Sequence, residues 1–284
     1  MSETSGASRS EIIATCISRE INDGDVIGLG LGTFIPAAGA MLAQQTHAPT
    51  VDFFLSPAGA YVHDLPMLTL TLSEWAARDR VIDRPKLSEV FSQEVHPDHV
   101  EFFRPAQMDA FGRFNTSLIG SLDAPKLRLP GAAGIPDVTA TLRRLFYYVP
   151  RHDSRTLVET VDFVTGGPTH FGTESSCSPY LGSRAFRLIT DLGVFGFDEG
   201  GRMEVVSLHE EVTRDEVHAH TGFSLDGKWD ERTEPPTGRE LELLRESIDP
   251  LGVMLLETLP AKSRQERLLY IYNNERHVLE ERMR

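Results

Sequence analysis

Three stretches of the chain place small or hydroxyl-bearing residues where a backbone turns after an apolar run. The first is Gly28-x-Gly30-x-Gly32, at the end of the run Val26 to Leu31. Glycines after a strand let backbone amides approach an anion, and the N-terminus of a following helix would favour one. The spacing is not GxGxxG, and a tight strand-to-helix turn without a ligand explains it equally well. The second is Leu55-Ser56-Pro57-Ala58-Gly59, closing the run Val51 to Leu55. Ligands of parallel sheets bind beyond the carboxyl ends of strands, so Ser56 stands where a functional side chain would, although no GxSxG elbow surrounds it. The third is Gly131-Ala132-Ala133-Gly134 after Pro130, whose amides could stabilise the oxygen of a thioester or enolate. A plain surface turn is the alternative.

The ten histidines show no metal-ligand spacing. His218 and His220 would fall on different faces of a helix, which makes them a poor ligand pair. His63 beside Asp64, and His96 near His99, are acid–base candidates, with solvated surface histidines as the competing explanation. The acidic pairs Glu210-Glu211 and Glu280-Glu281 read as solvated faces. Cys16 and Cys177 have no CxxC spacing, so neither zinc nor a redox motif is expected.

The elements that must position these residues alternate in type. A polar lead, residues 1–9, is expected to be disordered. Ser10 to Ile21 has helical periodicity with Ser10 as a potential cap, and an Ala-rich helix spans Pro36 to Gln45. With the runs at Val26 and Val51 this makes a β–loop–α–β unit of a parallel sheet. Between 60 and 98 the pattern reads as helix and loop. Strands are expected over Val100 to Phe103, Asn115 to Ile119, Leu145 to Val149 and Val158 to Val164. Pro130 to Asp137 and the Gly/Ser/Pro-rich segment 165–182 read as loops. Ala185 to Thr190, Gly193 to Phe197 and Met203 to Leu208 form a meander. Thr213 and Glu216 have capping-box spacing for a short helix to Thr221. Helices are expected over Thr237 to Ile248 and from Ala261 to Arg284. The fold class is therefore α/β, an open and mainly parallel sheet with flanking helices and a C-terminal strand meander. One continuous domain over 10–260 is expected, followed by a charged helical tail over 261–284. Its Leu268, Leu269, Ile271 and Val278 would pack on something, such as a partner.

Twenty-eight Lys and Arg against 42 Asp and Glu give a net charge of -14, which argues against a nucleic-acid partner. The N-terminus lacks a signal-peptide core, no apolar run is long enough for a membrane span, and two isolated thiols fit a reducing compartment. A cytoplasmic protein is expected.

Ala106-Gln-Met-Asp109-Ala-Phe-Gly112-Arg-Phe-Asn115-Thr-Ser-Leu-Ile-Gly120 is followed by Arg151-His-Asp-Ser-Arg155-Thr-Leu-Val-Glu159-Thr-Val-Asp162-Phe-Val-Thr165. Thr190-Asp-Leu-Gly193, His218-x-x-Thr221-Gly222-Phe223 and Leu243 to Pro250 come next. In type and order these blocks resemble the β subunits of glutaconate-type coenzyme A transferases. The resemblance runs from about residue 11 to 253. Arg113 replaces the family's usual asparagine. The resemblance implies an α/β fold, an α-type partner subunit in an αβ or α2β2 assembly, and coenzyme A entering as part of the substrate, with no tightly bound cofactor and no metal. It also implies that Gly131 to Gly134 form the oxyanion loop. Gly30, Gly32, Thr33, Gln107 and Asn115 are the candidates for contact with substrate or coenzyme A.

The family's nucleophile is a glutamate at the end of the second strand of the β-type subunit. It exchanges acyl groups through an anhydride and a glutamyl-CoA thioester, which a hydroxyl does not readily do. That position here reads Ser56. Fold relatives without the glutamate include hydrolases that open a ketone ring of CoA-linked steroid intermediates, and a decarboxylase. The block around His209 resembles the ring-opening subunits. The expected function is C–C bond hydrolysis or decarboxylation of a catabolic CoA ester. A genuine CoA transferase, or a non-catalytic subunit that completes its partner's site, are the alternatives.

Overall fold

The structure, a computed structural model, describes residues 6–71, 80–86, 98–169 and 184–283. His96, Cys177 and most of the expected loop 165–182 lie outside the described residues. The chain divides into two compact units, one made of residues up to 87 together with 235 onward, the other of 88–234.

The first unit opens with α1 (Arg9–Arg19). Ser8, not Ser10, caps it: the Ser8 hydroxyl accepts from Glu11 N, and the Glu11 carboxylate accepts from Ser8 N at 2.6 Å. Ser10 is instead buried inside the first turn. Strand β1 (Val26–Leu29) leads to α2 (Phe34–Thr46), then β2 (Asp52–Leu55), β3 (Ala60–Val62) and β4 (Val81–Asp83). β1 and β2 pair in parallel, and β3 and β4 continue the sheet antiparallel. Both faces of a parallel pair are covered, which is why β1 and the Phe53-Phe54-Leu55 part of β2 are apolar runs without alternation. Helices α1 and α2 pack so closely that a Cβ at Gly39 would lie 2.7 Å from the carbonyl oxygen of Ala14.

The second unit carries β5 (His99–Phe103), the hairpin β6 (Gln107–Met108) and β7 (Phe114–Asn115), and the hairpin β8 (Leu118–Gly120) and β9 (Pro125–Arg128). Then come α3 (Ile135–Thr141), β10 (Arg144–Val149), β11 (Arg184–Thr190), β12 (Gly193–Phe197), β13 (Met203–Leu208), α4 (Arg214–His220) and β14 (Asp226–Gly227). β5, β10 and β11 pair in parallel, and β11, β12 and β13 form the expected antiparallel meander. The core is mainly aliphatic, with Phe103, Phe114 and Tyr147 in mutual contact within it. Both units are α/β with open sheets, as the pattern predicts.

Further expectations fail locally. Within 60–98, read as helix and loop, β3 and β4 are strands. The strand expected over Asn115 to Ile119 is two, β7 and β8, because the Asn115 side chain turns the chain by accepting from Ser117 N. The stretch 158–164 is no strand. Its neighbouring backbone donors are bound singly: Val158 N by Met108 O, Asp162 N by the Gln107 side chain, and Thr165 N by Phe114 O. Part of the expected loop 130–137 is helix, because Pro136 sits in the first turn of α3, where its missing N–H costs nothing. The helix expected to run to Ile248 is α5 (Gly238–Glu242) passing into a π-helical turn over Leu243–Ile248, with Asp249 N reaching back to Leu244 O at 2.8 Å. Apolar positions 241, 244 and 248 fit either winding, so periodicity does not distinguish them. The last helix, α6, spans Ala261–Arg282. No helix among the described residues is long and apolar enough to cross a membrane.

Candidate active site

In the first unit, Gly30, Gly32, Thr33 and Ser56 come together at the carboxyl ends of β1 and β2. The register pairs Leu29 with Leu55, and Ser56 N continues the ladder by donating to Leu29 O at 3.0 Å. Ser56 and Pro57 are exposed. Gly59, with φ +57°, turns the chain into β3. Gly32, at φ +72°, and the bond from Thr33 Oγ1 to Gly30 O (2.8 Å) shape the turn into α2, with Leu31 at its tip 78% exposed.

Two neighbours of this turn have no sequence signal. The N-terminus of α2 is not open to an outside anion at Ile35, whose N–H is taken by the buried carboxylate of Glu257 at 2.9 Å. Glu257 is carried by the short 3-10 turn Met254–Glu257. Asp249 caps that turn through Val253 N (2.6 Å) and Met254 N (2.9 Å). Burial pushes the Asp249 carboxyl up to about 7, against the pull of these amides and of Arg267. On the other side, Arg84 donates to Ala58 O at 3.2 Å, which sets an exposed guanidinium beside the Ser56 turn.

The Ser56 hydroxyl has no hydrogen-bond partner among the described residues. An activated serine needs a base within about 2.6–3.2 Å. His63 does not serve: its Nδ1 meets Asp52 Oδ1 at 2.7 Å, at the opposite, amino end of β2. Among the described residues, Ser56 is thus a polar group at a strand end without the machinery of a nucleophile.

In the second unit, Gln107, Asn115 and the loop Gly131–Gly134 come together. Asn115 is fully buried and donates to Gln107 Oε1 (2.8 Å) and Leu118 O (2.6 Å), while its Oδ1 accepts from Ser117 N (2.9 Å). Gln107 donates onward to Asp162 Oδ2 at 3.1 Å, which also accepts from Gly120 N at 2.8 Å. Within this chain both amides are engaged as a frame. Thr116 extends that frame to the loop: its Oγ1 donates to Gly131 O (3.0 Å) and its O accepts from Gly131 N (2.9 Å). Beyond this anchor Gly131 takes φ +104° and Ala133 φ +45°, both left-handed. The amides of Ala132, Ala133 and Gly134 have no acceptor among the described residues. Consecutive unengaged amides on such backbone form a concavity that suits a developing negative oxygen.

Four further histidines among the described residues have partners within the chain. His152 lies between Thr190 Oγ1 (3.1 Å) and Thr221 Oγ1 (2.9 Å), and burial, with His220 a lesser cause, holds its pKa down at about 3. The Thr221 hydroxyl already donates to Val217 O, so it accepts from His152 Nε2–H. His209 Nε2 meets Thr190 O at 2.8 Å, and burial lowers its pKa as well. His99 is buried next to Glu101 at 3.3 Å. Arg214 Nε donates to His218 Nε2 at 3.2 Å. Among the described residues no group of three or more His, Cys, Asp or Glu is set to hold a metal.

An open, mainly parallel α/β sheet with flanking helices is the fold that the sequence blocks imply. The chain belongs to the coenzyme A transferase family, whose model, described as "Coenzyme A transferase", matches residues 10–220. It is 32% identical over 247 residues to the B-type subunit of the 3-oxoadipate CoA-transferase of Pseudomonas knackmussii, covering 85% of this chain and 93% of that one. It is 31% identical over 250 residues to the cholesterol ring-cleaving hydrolase IpdB subunit of Mycobacterium tuberculosis, covering 86% and 96%. The crystal structure of the decarboxylase AibA/AibB is similar with a TM-score of 0.74 at 26% identity, over 87% of this chain and 97% of the matched chain.

Proposed function

We propose that this chain is the β-type subunit of a heteromeric enzyme that hydrolyses a C–C bond of an acyl-CoA thioester or decarboxylates it, without a glutamyl-CoA intermediate on this chain. The observation that carries the reading is Ser56. By the family resemblance it stands at the strand end where the transferases have their glutamate, and among the described residues no carboxylate substitutes for it there: Glu257 is buried on Ile35 N, and Asp52 lies at the far end of β2. A serine acyl ester would end acyl exchange where a glutamyl anhydride continues it. Two relatives named for other reactions, the IpdB hydrolase subunit and the AibA/AibB decarboxylase, support such chemistry on this fold.

On this reading coenzyme A arrives with the substrate and no other group is bound. The amides of Ala132 to Gly134 stabilise an enolate or thioester oxygen. Ser56, Gly30, Gly32 and Thr33 line the substrate, with Arg84 as a counter-charge for its anionic part. An α-type subunit supplies the acid–base group, in an αβ or α2β2 assembly. Residues 10–260 form the family-type body and 261–284 an appended helix. The acidic composition and unpaired spacing of the thiols favour the cytoplasm.

Identity to a 3-oxoadipate CoA-transferase favours a second reading, CoA transfer with a glutamate supplied from elsewhere. Trapping separates the two. The reconstituted enzyme is mixed with a panel of 3-oxoacyl- and dicarboxylyl-CoA thioesters and quenched with borohydride or hydroxylamine, and both subunits are read by peptide mass spectrometry. The proposed reading expects no modified glutamate while the thioester is consumed. A glutamyl adduct on either chain establishes the transferase reading instead.

A further inference from the structure

Helix α6 contains 22 residues and is about 33 Å long. One face holds it to its own unit. Ile271 and Leu279 are fully buried, Glu275 accepts from Leu70 N, Arg267 donates to Leu251 O, and Arg282 donates to the carbonyls of Glu246 and Ser247. Away from that face the helix exposes apolar side chains again: Leu268 is 44% exposed, Leu269 56%, Tyr270 48% and Tyr272 76%. A surface helix usually shows one apolar stripe, and a second one marks a surface that another chain covers.

The order of residues along this second stripe says which chain. Side chains three and four apart share a helix face, so Lys262, Gln265, Leu269, Tyr272, Arg276 and Glu280 run down one line. All six are exposed, and Lys262 has no ion-pair partner among the described residues. A second copy laid antiparallel, with the two-fold axis between Leu269 and Tyr272, puts Leu269 against Tyr272, Gln265 against Arg276 and Lys262 against Glu280. Every one of these contacts is repeated by symmetry, the self-complementarity that an isologous interface requires. A parallel copy would face Lys262, Arg276 and Glu280 with themselves. Glu280 already accepts from Arg276 of its own chain at 2.9 Å, an exposed pair that leaves the carboxylate room for a second cation.

We propose that α6 joins two copies of this chain by antiparallel pairing of this face. The inference is independent of the reaction the enzyme catalyses and of its α-type partner, and it concerns a helix beyond the residues matched to the family.

The test uses the full chain, purified alone, in light scattering and sedimentation over a dilution series. The expected particle has twice the 31.6 kDa of one chain and dissociates on dilution. Leu269→Glu combined with Tyr272→Glu, both at exposed positions, is expected to give a monomer with unchanged circular dichroism and a Tm that no longer depends on concentration. Lys262→Glu alone should weaken the dimer about tenfold, because two symmetry-related attractions become repulsions. Adding Glu280→Lys should recover most of that loss. A chain that stays monomeric at the highest concentration overturns the proposal, as does a dimer indifferent to the Leu269 and Tyr272 changes. A monomeric chain whose Leu269/Tyr272 variant loses only an α-type subunit overturns it too, and assigns the face to that subunit.

Discussion

Ser56 combines an exposed hydroxyl, a strand-end position and the lack, among the described residues, of any base in hydrogen-bond reach. Those facts set the size of the effect its removal should have. A pocket-lining hydroxyl contributes at most one hydrogen bond to substrate, so Ser56→Ala should lower kcat/KM by about tenfold or less. Loss of a covalent nucleophile would cost several orders of magnitude more, and steady-state kinetics on the reconstituted enzyme separates the two cases. Asn115 is the converse. It is fully buried, and its amide holds Gln107, Leu118 and Ser117 together. Asn115→Ala leaves several of those groups unpaired and should destabilise the chain by about 2–3 kcal/mol, read as a lower urea midpoint. The change also frees the anchor of the Gly131 loop, so turnover should fall by more than the unfolded fraction accounts for.

Elements of this chain are held by close approach and by polar side chains that bind blocks far apart in sequence. Gly39 lets α1 and α2 touch. Gly39→Ala places a methyl 2.7 Å from Ala14 O and Ile17 Cγ2, and the forced separation should cost about 1–3 kcal/mol in chemical denaturation, more than alanine's better helix propensity returns. His152, Thr190 and Thr221 lie in three separate blocks of the family resemblance, and the imidazole hydrogen-bonds to both threonines. Because burial holds its pKa near 3, below the ordinary 6.5, the unfolded chain takes up a proton that the folded chain refuses. The stability this confers is complete above about 6.5 and is lost as pH falls through 6.5 toward 3, by up to about 1.4 kcal/mol per pH unit. Urea midpoints measured across that window should fall less steeply for His152→Leu than for the natural chain, from a lower starting value. The blocks are legible in the sequence because each is local. Strand ends such as Ser56 are legible too, since a buried strand is an apolar run closed by turn residues. Glu257 and Arg84 are not, because they reach partners 222 and 26 residues away and no periodicity carries that information.

Among the described residues, several titratable groups that could act as an acid or base are already engaged within the chain. His152 and His209 are buried against threonine groups, His99 lies beside Glu101, His63 beside Asp52 and Glu257 on Ile35 N. Hydrolysis or decarboxylation of a CoA ester needs a proton donor or acceptor at the reacting carbon. On the proposed reading that group comes from the α-type subunit, so this chain alone should be silent. Added to a fixed amount of it, the separately purified partner should raise turnover linearly to a plateau at one partner per chain. The pH profile of kcat/KM at the plateau should be unmoved by His63→Asn, since the Asp52–His63 pair lies at the amino end of β2, away from Ser56. Measurable turnover by the isolated chain at the reconstituted rate would show that it holds its own acid–base group. A shifted pH profile in His63→Asn would identify that histidine as the group.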